Sequence, residues 1–300
     1  MEMESTDDVK IYKQLCEAMY FYEHLRASEG KKRPAVAFME TVQEDITPSI
    51  RAILIDWLVE VAEDYRLLPE TLYLTINYVD RYLSGNPIHL YKIQLLGVAC
   101  MMIASKYEEI CAPNVEEFCN LTENIYSNDE VLQMESSVLN FLNFEMTAPT
   151  VTCFLNLFLV SDAQMDIYNM GIHPMRLEFL ASYISDLSLL RYSMLRYAPS
   201  LIAASAIFLA RFLLMPSLKP WNLILRYYTL YQPSDLQKCV KTLHSLVCKC
   251  PNFELKAIRE KYSQHKYKYV ANITCPASIP LENFDNIRSP LDRQMDPASS

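Results

Sequence analysis

Apolar positions recur at helical spacing along most of the chain, and the breaks between them carry helix-ending residues. Residues 7–26 form the first such segment, closed by Gly30-Lys31-Lys32-Arg33-Pro34. Thr47-Pro48 then supplies an N-cap and a proline at the first helical position of a helix reaching Tyr65. Further helices are predicted from Pro69 to near Ser84, over 90–107, from Pro113 to Leu121, and from the cap Ser127-Asn128-Asp129 through Phe141. Pro149 restarts the pattern.

Residues 50–61, I-R-A-I-L-I-D-W-L-V-E-V, carry two apolar stripes where a surface helix needs one. At ~100° per residue, Ile50, Ile53, Leu54, Trp57 and Val61 share one side, and Ala52, Ile55, Leu58, Val59 and Ala62 share another. Such a helix is central to its bundle, is covered by another part of the chain, or keeps one face for a partner.

The second half repeats the first. Asp80 and Asp186 lie 106 residues apart, and at that offset Leu83 meets Leu189, Leu95 meets Leu201, Met101 meets Ile207 and Ile103 meets Leu209. In each half an amphipathic helix precedes one that is apolar on nearly every side, which other helices must surround. The predicted fold class is therefore all-α: two tandem bundles of about five helices. An extra N-terminal helix, a short C-terminal helix and a loose tail complete it. The corresponding divisions are 1–46, 47–147, 148–252 and 253–300. Residues 90–107 fill the centre of the first bundle, so the helix of Trp57 lies around that centre. Its spare stripe is then a partner site or a face covered by the N-terminal segment or the second bundle. Beyond Ala271 the prolines at 276, 280, 290 and 297 predict irregular chain, with disorder beyond Phe284.

Composition narrows the function classes. The four glycines, Gly30, Gly85, Gly97 and Gly171, leave no phosphate-binding or dinucleotide fingerprint. A net charge of −9 gives no basic footprint for nucleic acid. The longest apolar runs, 93–104 and 201–210, fall short of the ~20 residues of a membrane helix, so no membrane partner is expected. Nine cysteines read as reduced intracellular thiols. Cys248 and Cys250 form only a C-x-C, with no second pair to complete a zinc site, and neither metal nor cofactor is expected.

No catalytic constellation assembles from the five scattered histidines or the acidic pairs Glu108-Glu109 and Glu116-Glu117, which read as solvated charge. Four charges set in apolar helices are more informative. Arg51 and Asp80 each sit in a strongly apolar helix, where mutual pairing resolves their burial. Lys106 ends the most apolar helix of the first half, where the helix dipole favours a cation. Glu135 lies among Val131, Met134, Val138 and Leu139. Side by side, Lys106 and Glu135 could grip the carbonyls and N–H groups of a foreign backbone. Alternatively they form an internal ion pair tying two helices.

Several long runs carry a family resemblance: S-I-R-A-I-L-I-D-W-L-V-E-V, P-E-T-L-Y-L-T-I-N-Y-V-D-R-Y-L-S, L-L-G-V-A-C-M-M-I-A-S-K-Y-E-E-I-C-A-P, L-Q-M-E-S-S-V-L-N-F-L-N-F-E-M-T-A-P-T and S-M-L-R-Y-A-P-S-L-I-A-A-S-A. In order and over about 10–270, they resemble the cyclins, in particular the A-type mitotic cyclins of plants. The five defining positions of the cyclin box are present as Arg51, Asp80, Leu95, Lys106 and Glu135. The resemblance implies two five-helix cyclin boxes and a nuclear, non-enzymatic subunit. Such a subunit binds and activates the catalytic subunit of a cyclin-dependent serine/threonine kinase and controls progression through S, G2 and M phases. It implies that Arg51 and Asp80 are a structural pair and that Lys106 and Glu135 clamp the kinase backbone. Tyr107, Glu108, Glu109, Ile110, Leu139, Phe144 and Met146 align with kinase-contacting positions. Ile50, Ile53, Leu54, Trp57, Glu60, Ile93 and Gln94 align with a docking patch for R-x-L substrates and inhibitors.

Ile50 replaces the usual methionine of that patch, which should keep the groove and stiffen its edge. The resemblance does not extend to the long N-terminal region of mitotic cyclins or its R-x-x-L destruction box, which puts timed proteolysis in doubt. Of the R-x-x-L strings present, Arg51–Leu54 and Arg211–Leu214 fall in predicted helices and should be inaccessible, while Arg288–Leu291 falls in the tail beside the minimal phosphosite Ser289-Pro290. The basic stretch 256–268 reads as a solvated helix and its exit. The other reading of the fold is a binding module of the transcription-factor IIB or retinoblastoma type, which binds nucleic acid or peptides without activating a kinase. It calls for a zinc ribbon and a basic face, and the sequence has neither.

Overall fold

In the computed structural model, which describes residues 20–163, 174–249 and 254–287, every regular element is helical. A leading helix, α1 (20–28), and the short α2 (Phe38–Thr41) precede the first bundle. That bundle comprises α3 (Pro48–Asp64), α4 (Pro69–Leu83), α5 (Ile93–Glu108), α6 (Val115–Leu121) and α7 (Asn128–Phe141). The second comprises α8 (Val151–Ala163), α9 (Pro174–Leu189), α10 (Pro199–Leu214), α11 (Leu223–Thr229) and α12 (Pro233–Lys249). A last short helix, α13 (Ala257–Tyr262), precedes the tail.

Local chemistry sets the helix starts. The Thr47 hydroxyl accepts the Ile50 N–H, and Pro48 occupies the first turn of α3. Asn114 with Glu117, and Ser127 with Glu130, form reciprocal capping boxes at α6 and α7. Glu117 is therefore a capping group rather than free surface charge. Each box satisfies two backbone donors that would otherwise be unpaired.

The 106-residue repeat is visible in the helices themselves. The offset carries the span of α5 onto that of α10. Both are central: α5 packs against α3, α4, α6 and α7, and α10 against α8, α9 and α12. Gly97 lets α3 and α5 approach closely, because a Cβ there would stand 2.8 Å from Leu54 Cδ1.

The two bundles are joined through buried charge. Arg51, 1% exposed, grips Asp80 with Nε and Nη2, each 2.6 Å from a carboxylate oxygen. Its Nη1 donates to the Leu189 carbonyl at the end of α9 at 2.8 Å. Asp186, the repeat counterpart of Asp80, is also buried. Yet α8, the counterpart of α3, has no cationic residue to offer it. Asp186 instead accepts from Tyr73 of α4 at 2.9 Å, Tyr262 of α13 at 2.9 Å and Lys261 Nζ at 3.3 Å.

Thus the basic stretch 256–268 is not a solvated helix. Lys261 is buried between Asp186 and Glu63, and α13 lies against both α3 and α9. Asp56 of α3 receives the backbone N–H groups of Lys256 and Ala257, capping the start of α13. Part of the outer side of α3 is therefore covered by the chain itself. The leading segment also seals the seam: Tyr22 donates to the Thr229 carbonyl at 2.6 Å, and Arg33 to the Leu195 carbonyl at 2.5 Å.

Beyond Ala271 the chain is irregular, as expected, but packed. Phe284 is buried and stacks on Phe208 of α10 with ring centroids 5.1 Å apart. The disorder predicted beyond Phe284 does not hold for residues 285–287, because Ile287 exchanges hydrogen bonds with Gln232 and accepts one from Arg226. Residues from 288 on, with Arg288–Leu291 and Ser289, lie outside the described residues, as does the first part of the predicted N-terminal helix, residues 7–19. In the other two R-x-x-L strings, Arg51 and Arg211 are buried within α3 and α10, so neither string presents its arginine.

Removing one partner of a buried pair strands the other charge, at a cost of about 3–5 kcal/mol. Arg51→Ala and Asp80→Ala should each destabilise by that amount in urea unfolding followed by circular dichroism. Arg51→Met with Asp80→Leu should cost less than either single change.

Candidate protein-binding faces

Two faces of the first bundle gather the residues singled out by sequence. The first lies at the end of α5. The stripe Val131, Met134, Glu135, Val138 and Leu139 turns α7 toward α5, with Val131 and Val138 buried. Glu135 thus reaches Lys106, and Nζ–Oε1 is 2.6 Å. The internal ion pair forms, yet it remains accessible: the Lys106 side chain is 50% exposed and that of Glu135 13%. The lysine has three donors and the carboxylate several acceptor sites, so one mutual contact leaves hydrogen-bonding capacity on both.

Apolar side chains stand open around this pair. Ile110 is fully exposed, Phe144 is 66% exposed, and Tyr107 is half exposed with its hydroxyl 2.6 Å from Thr147 Oγ1. Phe144 is raised by a left-handed turn, with φ of 53° at Asn143 and 57° at Phe144. An aromatic residue there is strained, and such strain concentrates at functional sites. Leu139 and Met146 are half-buried behind it.

The acidic pair of this face divides its work. Glu109 accepts the Leu68 N–H at 2.7 Å and the Thr71 hydroxyl at 2.6 Å, anchoring the start of α4 rather than standing free for a partner. Glu108 has no such donor, and its carboxyl is pushed up by burial and then by the charges of Glu70 and Glu109.

The second face lies where α3 packs against the start of α5. Ile53 is 59% exposed, Ile50 and Trp57 are half-buried, and Glu60 is exposed. Leu54, Val61 and Ile93 are buried, so the first apolar stripe does not lie wholly on the surface. Leu54 packs on Gly97 of α5, and Gln94 stands half-buried next to Ile93 in sequence. The exposed arc of α3 is acidic as well as apolar. Burial first, then the charges of Asp56, Glu260 and Asp64, raises the Glu60 carboxyl, which favours an arriving cation. The 3₁₀ turn Leu90–Lys92 adds two exposed side chains, Leu90 and Tyr91, next to Ile93. Their apolar character beside a predicted helix start was the available signal.

Family models match almost the whole folded part. The model described as Cyclin, N-terminal domain covers residues 20–147, and that described as Cyclin, C-terminal domain covers 149–276. The chain belongs to the cyclin family. Within it, the similarity is to A-type cyclins of plants. It is 61% identical over 273 residues to Cyclin-A1-3 of Oryza sativa subsp. japonica, covering 90% of this chain and 55% of that one. To Cyclin-A1-1 of Arabidopsis thaliana it is 59% identical over 278 residues, covering 91% and 59%. To Cyclin-A1-4 of rice it is 59% identical over 275 residues, covering 91% and 76%. The chain spans little more than half the length of the first two relatives. Among solved structures, a viral cyclin from herpesvirus saimiri superposes with a TM-score of 0.61 at 22% identity, over 72% of this chain and 90% of that one. A chain of the CAK complex of Chaetomium thermophilum gives 0.50 at 15% identity, over 90% of each. Both share the fold of this chain. No helix among the described residues is long and apolar enough to cross a membrane.

The charged seam behind the α3 face makes a pH-dependent contribution. Burial alone would raise the Glu63 carboxyl, but the hydrogen bond from Lys266 and the charges of Lys261 and Lys266 outweigh it and hold the group below its ordinary value. As pH falls, the unfolded chain therefore takes up this proton first. The stabilisation is present above the unfolded value of about 4.3 and is lost as pH falls through the lower folded value. Glu63→Gln should remove that part of the acid limb, read as a flatter dependence of urea midpoint on pH below about 5.

Proposed function

We propose that the chain is the regulatory subunit of a cyclin-dependent serine/threonine kinase, that it contacts the kinase through the Lys106–Glu135 face, and that it acts in the nucleus on cell-cycle progression. Residues 47–147 and 148–252 serve as its two cyclin boxes, flanked by 1–46 and 253–300. It carries no catalytic group of its own in this reading. The observation that carries the proposal is an accessible ion pair ringed by exposed apolar side chains, Ile110, Phe144 and Tyr107, at the end of the central helix. Apolar surface of this kind on a folded domain marks a protein partner. Buried between two proteins, Lys106 and Glu135 can exchange part of their mutual bond for backbone groups of the kinase, while Ile110 and Phe144 supply the apolar contact. Leu139, Met146, Glu108 and Glu109 frame that contact, Glu109 through its hold on α4.

The α3–α5 face recruits substrates and inhibitors bearing R-x-L. The leucine settles against Leu54 and Ile93, between Ile50, Ile53 and Trp57, and the arginine meets Glu60 and its acidic neighbours. Gln94 offers the side-chain amide at the rim. Because this face and the Lys106–Glu135 pair flank opposite ends of α5, one chain can hold kinase and substrate together.

The decisive test is co-purification with candidate cyclin-dependent kinases, followed by a histone phosphorylation assay. Truncating one partner of a desolvated charged contact costs roughly 2–5 kcal/mol of binding. Lys106→Ala or Glu135→Ala should weaken kinase binding accordingly, with helical content unchanged by circular dichroism. Normal kinase activation by the double variant would refute this role.

Trp57→Ala should remove R-x-L peptide binding, at a cost of ~2 kcal/mol or more for an aromatic anchor, while kinase binding persists. Fluorescence anisotropy of a labelled peptide, run beside the kinase pull-down, reads both. Joint loss would instead make Trp57 a core residue.

A further inference from the structure

The second bundle brings together three side chains that the kinase and docking faces do not use. His244 and Cys248 lie one turn apart on the same side of α12, the spacing at which a helix presents two ligands to one ion. The tail returns to this side and places Cys275 against them. Cys248 Sγ lies 2.9 Å from Cys275 Sγ, 3.6 Å from His244 Nε2 and 3.9 Å from His244 Nδ1. Ligand atoms of all three residues fall within 4.8 Å of one another. The C-x-C spacing was incomplete along the sequence, but the fold supplies the missing ligands from 27 residues downstream and one turn upstream.

We propose that His244, Cys248 and Cys275 form a binding site for a thiophilic divalent cation of the zinc class. Two thiolates and an imidazole suit a borderline-soft ion and offer nothing to calcium or magnesium, which take oxygen. In a tetrahedral site with Zn–S near 2.3 Å and Zn–N near 2.0 Å, ligand atoms stand roughly 3.5–3.8 Å apart. Cys248 Sγ and His244 Nδ1, 3.9 Å apart, must approach by roughly 0.4 Å, within reach of a small side-chain rotation. The two sulfurs must part by a little under ~1 Å, a movement within reach of Cys275 because it lies in irregular chain. The imidazole is also oriented for the task. His244 Nε2 is 2.8 Å from the Pro276 carbonyl, so Nε2 carries the proton and donates it, leaving the lone pair of Nδ1 for the ion. This is the arrangement by which a backbone carbonyl fixes the tautomer of a metal-bound histidine. Water fills the fourth position.

Binding exchanges protons for metal. The cation forms two bonds to sulfur and one to Nδ1, and both thiol protons leave to solvent, so affinity falls with acidity. The loaded site would pin the tail to α12, the last helix of the second bundle.

The test uses the full chain, reduced with a phosphine and stripped with chelator, then titrated with Co²⁺ as a spectroscopic probe. One equivalent should give the intense visible bands of tetrahedral Co²⁺ with a sulfur-to-metal charge-transfer band, and Zn²⁺ should abolish both by displacement. Cys248→Ser and Cys275→Ser should each lose the charge-transfer intensity of one thiolate and bind weakly. His244→Ala should weaken binding by more than the ~10-fold that loss of a second-shell partner costs. Cys275→Ser sits outside the helices, so it should leave the circular dichroism unchanged and keep the test independent of folding. Absence of the tetrahedral spectrum, or a spectrum unchanged by Cys248→Ser, would overturn the proposal. So would a Cys248–Cys275 disulfide recovered by peptide mass from metal-free chain that no reductant opens to Co²⁺.

Discussion

Two buried carboxylates govern how this chain closes. Asp80 and Asp186 occupy the same place in the two repeats, and each lies in an apolar helix that could not hold an unpaired charge. The first is answered locally by Arg51, in the bidentate geometry that suits a guanidinium. For the second, α8 offers no arginine where α3 has one, and its partners come from α4 in the other bundle and from α13 beyond both. Neutralising Asp186 therefore requires three separated parts of the chain to meet. Arg51 adds a fourth tie through the Leu189 carbonyl. Buried charge thus ties the two bundles to each other.

That constraint explains what α3 does. Its inner stripe, with Ile55, Leu58 and Val59, packs the first core. Asp56 and Glu63 hold α13, and Arg51 holds α4 and α9. Only the arc around Ile53, Trp57 and Glu60 is left to solvent. A helix fixed on so many sides presents that arc rigidly, which suits the peptide docking proposed for it, since a rigid surface leaves little ordering to be done on binding. The same economy holds at the other end of α5, where Glu109 anchors α4 and leaves Ile110 and Phe144 projecting beside the Lys106–Glu135 pair.

Much of this was legible along the chain because it follows from local periodicity. The caps at Thr47 and Ser127 and the all-apolar α5 and α10 depend on residues within a few turns of one another, and the 106-residue repeat is the same local pattern met twice. The Asn114 cap, with Glu117 as its partner, was not read from the sequence. The Arg51–Asp80 pair was legible too, since two lone charges in apolar helices of one bundle leave a single resolution. The role of 256–268 was not: an isolated basic stretch reads as solvated until its acidic partners, Glu63 and Asp186, are brought to it from 203 and 75 residues away.

The sequence by itself determined the helices, the two-bundle class and the pairing of Arg51 with Asp80, because helix periodicity and capping are short-range and a buried charge advertises its need. Tertiary structure alone decided which of those residues remain exposed. Leu54, Val61 and Ile93 share the periodicity of Ile53 and Trp57, and only packing against other parts of the fold separates buried from exposed. It also decided that Glu109 serves α4 and that Cys248 meets His244 and Cys275. Which groups converge from distant segments depends on the path of the whole chain, and no local pattern encodes that path.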